Sequence, residues 1–208
     1  MHAINTNLIA DPIEVEMRLE KLHLNKDDLI SVARDAFSAR HNITVAGPKT
    51  GPGLLSYLYG TEALRIRIVG EQWDQVDVDN IALIRNDELK IQVVFQNVDV
   101  ASSLSLTPKP TTKKGAGSER ASKGNMLFDE LPQFVSTDNS EYITYSFMVA
   151  PNGASELSQA VIKDGTFVAF IERIFITDAS DFNDDPIEGS APSEIASDFE
   201  INVTKKAT

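Results

Sequence analysis

The chain contains no cysteine. Disulfides, thiol nucleophiles and zinc–thiolate sites are therefore excluded, and nothing points to an oxidising compartment. Histidine is nearly as scarce, with only His2, His23 and His41. No two of them stand four residues apart, so a His-Glu-x-x-His metal helix is excluded too. His23 and His41 fall near the ends of expected helices and read as capping or surface groups. There is no run of 18 apolar residues, so no membrane-spanning helix is expected. The opening stretch "MHAINTNLIADPIEVE" has no basic region leading into an apolar one and is not expected to act as a secretory signal. The expected setting is the cytoplasm, or a virion for a chain of phage origin.

Enzyme signatures are missing as well. There is no Gly-x-Ser-x-Gly elbow. "GPKTGPG" lacks the Gly-Lys-Ser/Thr of a phosphate loop, and Pro48 and Pro52 remove two amide donors that such a cradle uses. "GAGSER" does not fit Gly-x-Gly-x-x-Gly. In "DASDFNDDPIEG" the alternation of Asp181, Asn183 and Asp185 suggests a calcium loop. Pro186 and Pro192 occupy the positions where that loop needs glycine and a bidentate acid. These patterns identify no catalytic residue and imply neither cofactor nor metal.

One nuclease pattern needs a closer reading. Asp77 and Asp79 followed by Glu88-Leu89-Lys90 resembles the PD-(D/E)xK arrangement, in which carboxylates hold a metal and the lysine helps position the attacking water. If Asn86-Asp87 is a two-residue turn, Asp79 faces Val94 and lies roughly 20 Å from Glu88, at about 3.3 Å per strand residue. One metal ion cannot be shared across that span.

What the chain does have is segregated charge. Its 208 residues carry a formal charge of −12, with an isoelectric point near 4.6. Yet residues 107–125, "TPKPTTKKGAGSERASKGN", hold Lys109, Lys113, Lys114, Arg120 and Lys123 against a single acid, Glu119. No side chain there is suited to a core, so the segment reads as a basic flexible arm. Residues 177–198 read as an acidic loop or tail. Asp178, Asp181, Asp184, Asp185 and Glu188 offer a candidate acidic partner surface, and the stretch to residue 204 contains eight acids and no base.

The remaining sequence predicts one α+β domain over residues 1–208. Two N-terminal helices precede an antiparallel or mixed β-sheet of about 5–7 strands with one short inserted helix. Asp11, with Pro12 and Glu14 behind it, signals a helix start, and Asn25 caps a second helix over "KDDLISVARDAFSAR". Leu29, Val32, Ala33, Ala36 and Phe37 form its buried stripe. These two helices hold five bases and seven acids between residues 11 and 41, which argues against a helix-turn-helix. "AGPKTGPG" reads as a loop and "LLSYLYG" as a short helix. The alternation in "ALRIRIVG", residues 63–70, predicts a strand. "NIALIR" and "ELKIQVVFQNVDV" predict a hairpin turning at Asn86-Asp87, and "YITYSFMVA" a strand. "ASELSQAVIKDG" predicts a short helix ending at Gly165, "TFVAFIERIFI" a central strand and "FEINVT" a last strand. Trp73, Tyr57, Tyr59, Tyr142 and Tyr145 read as core or core-edge groups.

The function these features predict is a non-enzymatic assembly or protein-interaction protein, such as a structural component of a phage-like particle. Self-association is the expected partnership. The basic arm of one copy would dock on the acidic surface of the next. A regulator is the alternative. It would touch nucleic acid weakly and without sequence preference through the 107–125 arm, or occupy a basic partner through its acidic surface. The metal-dependent nuclease stands last.

Overall fold

The computed structural model describes residues 6–112, 118, 119, 122 and 141–182. The order of elements is β1 (Asn7–Ile9), α1 (Pro12–Lys21), α2 (Lys26–His41), α3 (Gly51–Ile68), β2 (Asp74–Val78), β3 (Ile81–Asn86), β4 (Ile91–Asn97), β5 (Ile143–Val149), β6 (Ser155–Lys163) and β7 (Thr166–Thr177). A 3-10 turn, Ala179–Phe182, follows. The strands form one mixed sheet in the order β1-β7-β6-β5-β4-β3-β2. β1 is parallel to β7 and β4 to β5, and the other neighbours are antiparallel. This is the α+β architecture expected from the sequence.

The first two helices start where local chemistry dictates. Asp11 accepts from the amides of Ile13 and Glu14, and Asn25 from those of Asp27 and Asp28. The caps satisfy donors that each first turn otherwise leaves unpaired. Leu29, Val32, Ala33 and Ala36 are buried against the sheet, as the spacing predicts.

α3 corrects the expectation of a short helix followed by a strand over residues 63–70. The helix continues through that stretch to Ile68. Alternating apolar residues suit a strand, but helical spacing sorts the same residues differently. Leu64 turns to the core while Ile66 faces outward, 74% exposed. The arginines then reach neighbouring elements, Arg65 to Asp77 on β2 and Arg67 to Asp35 on α2, each at 2.8 Å. α3 lies close on the sheet because of Gly60. A Cβ there would sit 2.3 Å from the ring of Phe95 on β4.

The stretch expected as a second short helix is β6. "SELSQAVIK" is buried on almost every residue, because β6 lies inside the sheet with both faces covered. Asp164-Gly165 ends no helix. With φ of 54° and 76° it forms the two-residue turn into β7, for which Asp-Gly is suited by its tolerance of positive φ. Asp79-Asn80, φ 52° and 61°, makes the same kind of turn between β2 and β3. Between β3 and β4 the two-residue turn expected at Asn86-Asp87 is a four-residue connection, since Asn86 pairs with Ile91. β7 is long and largely buried, but it stands next to the edge, flanked by the short β1. The strand expected at 199–204 lies outside the described residues.

The helices pack on one face of the sheet, where Val15, Leu19, Leu64, Val93, Phe95, Phe147, Leu157 and Ile174 form the main core. The opposite face is covered by the chain leaving β4. Val98 and Ala101 join Met148, Ala160 and Phe170 in a smaller cluster. A buried ion pair fixes this crossing. Arg173 on β7 donates through Nε and Nη2 to Glu156 on β6, at 2.9 and 2.6 Å. Its Nη1 donates to the carbonyls of Ser103 and Leu106, and Glu156 accepts from the amide of Ser102.

Two stability tests follow. Gly60→Ala is expected to lose about 1–3 kcal/mol through the clash with Phe95, against a helix-propensity gain of about 1 kcal/mol. Arg173→Ala strands a buried carboxylate and is expected to lose about 3–5 kcal/mol. Urea melts of both variants give the differences.

Candidate functional site

One end of the sheet gathers most of the loops. β4, β5 and β7 finish there and β6 begins there, because Asn97 pairs with Val149, Val149 with Ser155 and Ser155 with Thr177. The basic arm and the acidic turn both start at this end. Pro110 bridges to Val98, the Lys109 amide donates to Asp99 Oδ1 at 2.7 Å, and the Thr111 amide donates to the Asn97 carbonyl. Lys109 is exposed. Lys113, Lys114, Arg120 and Lys123 lie outside the described residues. Where the arm is described further on, it touches the sheet. Glu119 accepts from the Gly165 amide at 2.7 Å, and Ser122 is buried. That corrects the expectation that nothing in the arm buries: the small Ser122 side chain lies beside sheet residues such as Leu83, Thr144 and Ala160.

Asp178 and Asp181 are exposed in the turn after β7. Hydrogen bonds from the Ser180 side chain and amide hold the Asp178 carboxyl below its ordinary range. Asp184, Asp185 and Glu188 lie outside the described residues. Four strand spacings separate the Asp178 side of the sheet from Lys109, roughly 20 Å at about 4.8 Å each. That exceeds the screening length of about 8 Å in physiological salt. Lys109 and Asp178 therefore do not offset each other within one copy.

The groups of the nuclease pattern do not meet. Asp77 is on β2, paired with Arg65, and Asp79 is in the β2–β3 turn. Glu88 and Lys90 are in the β3–β4 connection at the other end of β3, about 20 Å away at 3.3 Å per residue. Among the described residues no three metal-ligating side chains cluster. His41 hydrogen-bonds the Phe37 carbonyl and packs on the Phe37 ring, while the His23 carbonyl accepts from Trp73 Nε1.

Two features escape a reading of the sequence. The first is a groove of about 810 Å³ at the loop-rich end, assembled from four segments. Arg40 comes from the end of α2, and Lys49, Thr50, Pro52, Leu54 and Tyr57 from the start of α3. Gln96 and Asn97 come from the end of β4, Thr111 and Thr112 from the arm. Among the described residues two cations line it and no acid does. Arg40 is half-buried, and burial pulls its guanidinium below the ordinary arginine range. Asn97 ties the floor to α3, donating to the Gly53 carbonyl and accepting from Ser56. Lys49 and the Gly/Pro loop were the only local signals, and neither announces a concavity.

The second feature is the outer face of α3. Leu54, Leu58, Tyr59 and Ile66 are all half-exposed or more, and Val69 follows on the same side. Only Glu62 and Arg65 interrupt this face. An ordinary surface helix is polar there. Leu54 belongs to both features, so the basic groove opens directly onto an apolar surface.

A buried polar cluster lies under α1. Arg18 donates to both Glu172 oxygens and to Tyr145 Oη, Tyr145 donates to Glu172 at 2.8 Å, and Asn7 donates to Glu172 at 3.0 Å. Every member is paired, so the cluster clamps α1 and β1 to the sheet. Burial first, and the Glu172 carboxylate second, push the Tyr145 phenol well above its ordinary range. No helix among the described residues is long and apolar enough to cross a membrane. No known protein family matches the chain, and no characterised protein or solved structure is significantly similar to it.

The phenol supplies a pH test. Its folded pKa lies above the unfolded value of about 10, so the stability it contributes is complete below pH 10. Above that pH the unfolded chain releases the proton first and stability falls. Denaturation midpoints measured from pH 8 to 11 should decline at the alkaline end, and Tyr145→Phe should flatten part of that decline.

Proposed function

We propose that this chain is a non-enzymatic assembly or protein-interaction protein that associates with copies of itself. The outer face of α3 carries the reading. Leu54, Leu58, Tyr59, Ile66 and Val69 are exposed along one side of the helix, broken by Glu62 and Arg65, and apolar exposure of this kind is what a partner removes from water. Charge supports it. The bases of residues 107–125 and the acids after β7 are segregated along the chain. Where both sets begin, at Lys109 and Asp178, the sheet holds them too far apart to neutralise each other in one copy. Complementary patches of this kind steer association and set its orientation more than they set its strength.

The test is light scattering coupled to size-exclusion chromatography, at low and high salt. The expected result is an oligomer that weakens as salt rises. Replacing Lys113, Lys114, Arg120 and Lys123 by glutamine should weaken association about tenfold and leave circular dichroism unchanged. A monomer at both salt concentrations overturns the reading. Nucleic acid carried through purification, seen as a raised 260/280 nm absorbance ratio, would favour the regulator in its place.

A further inference from the structure

We propose that the groove between α2, α3 and the end of β4 is the receptor for the acidic segment of a second copy, residues 183–203. The inference rests on the assembly reading and gives it a site and an occupant.

Chemistry selects the occupant. The groove presents Arg40 and Lys49 with no acid among its described lining residues, in a protein whose net charge is −12. No described residue pairs the Arg40 guanidinium, although it is half-buried. A cation kept partly out of water without a counterion gains from an incoming carboxylate. The start of α3 adds to the same potential. Pro52 contributes no amide there, but the Thr50 side chain makes no capping bond, and the first turn carries no acid.

The ligand must also be apolar in part, because Leu54 and Tyr57 form one wall and Leu54 leads onto Leu58 and Ile66. Simple anions and nucleic-acid backbones do not cover such a surface. Residues 183–203, "NDDPIEGSAPSEIASDFEINV", interleave Asp184, Asp185, Glu188, Glu194, Asp198 and Glu200 with Ile187, Ile195, Phe199, Ile201 and Val203. The run contains no base. It matches the groove in charge and the α3 face in polarity, and every copy of the chain carries it. The segment begins just past Phe182, which stacks on Phe37 of α2 with ring centroids 5.2 Å apart. It therefore departs from the groove end of the molecule, and two copies meeting at those ends exchange segments over a short span.

The experiment uses full-length chains with two complementary sets of charge reversals. The groove variant is Arg40→Glu with Lys49→Glu, with Lys49→Glu alone as a milder form at an exposed position. The segment variant is Asp184→Lys, Asp185→Lys and Glu188→Lys. Association constants come from sedimentation velocity, and folding is checked by circular dichroism. Each variant alone should associate about tenfold more weakly or worse, and Lys49→Glu should fall in between. An equimolar mixture of groove and segment variants should recover association, since the intact groove of one accepts the intact segment of the other. A fluorescein-labelled peptide of residues 183–203 should bind the segment variant and fail to bind the groove variant.

A groove variant that associates like the parent overturns the groove as receptor and leaves the assembly reading standing. Weakened variants that do not recover on mixing would place the segment on its own chain and overturn the second-copy occupant. Displacement of the peptide by a single-stranded oligonucleotide at equal concentration would overturn the peptide in favour of nucleic acid. A parent chain that is monomeric at every concentration removes the assembly reading and this inference together.

Discussion

The buried pair of Glu156 and Arg173 is the interaction on which the arrangement of this protein depends. The two side chains sit away from water, at 0% and 4% exposure. An ion pair in that position is not a gain in stability over two apolar residues. Its consequence is specificity. Arg173 has donors left after binding Glu156, and the carbonyls of Ser103 and Leu106 satisfy them. The segment leaving β4 must therefore cross the face opposite the helices at one place. The segment then brings the start of the basic arm back to the end of β4, where the Lys109 carbonyl accepts from the Asp99 amide and the Thr111 amide donates to the Asn97 carbonyl.

The same constraint shapes the surface. The crossing segment covers part of one face of the sheet and three helices cover the other, so β4, β5 and β6 are buried on both sides. The outside of the helix layer and the loop-rich end stay open to a partner. α3 exposes Leu54, Leu58, Tyr59 and Ile66 there, more than the Ile13 and Met17 that α1 exposes. Gly60 brings it down onto Phe95, and Asn97 holds its first turn against β4. A helix seated this firmly presents Leu54, Leu58 and Ile66 as a rigid face, so little ordering entropy is lost when it is covered. The groove at its N-terminal end adds two cations to that face. The proposed assembly function draws on this conjunction of an apolar surface and a basic concavity in an acidic chain.

Part of the fold was legible residue by residue. The capping signals at Asp11 and Asn25 and the apolar stripe of α2 are local rules, satisfied by atoms a few positions apart. β5 was legible from its run of β-branched and aromatic residues, Ile143, Thr144, Tyr145, Phe147 and Val149. The failures are equally physical. "ALRIRI" fits period 2 and period 3.6 equally well over so few residues, and the helix wins because Leu64 then meets the core while Arg65 and Arg67 find Asp77 and Asp35. "SELSQAVIK" loses the alternation that marks a strand because β6 is covered on both faces. Asp164-Gly165 suits a helix terminus and a tight hairpin alike, and only the pairing of Lys163 with Thr166 separates them.

The candidate site divides along the same line. Charge segregation needs only counting, so the sequence by itself determined that one stretch is basic, another acidic, and that no enzyme pattern stands out. It also determined the first two helices, whose ends are set by side chains binding their own neighbouring amides. The tertiary structure alone decided that Arg40, Lys49, Asn97 and Thr111 share one groove, that this groove opens onto the exposed face of α3, and that Asp79 and Glu88 lie at opposite ends of β3. Those relations join residues up to 71 positions apart. They follow from strand order and from the route of the crossing segment, which arise from pairing and burial between distant parts of the chain and leave no periodic mark on any one of them.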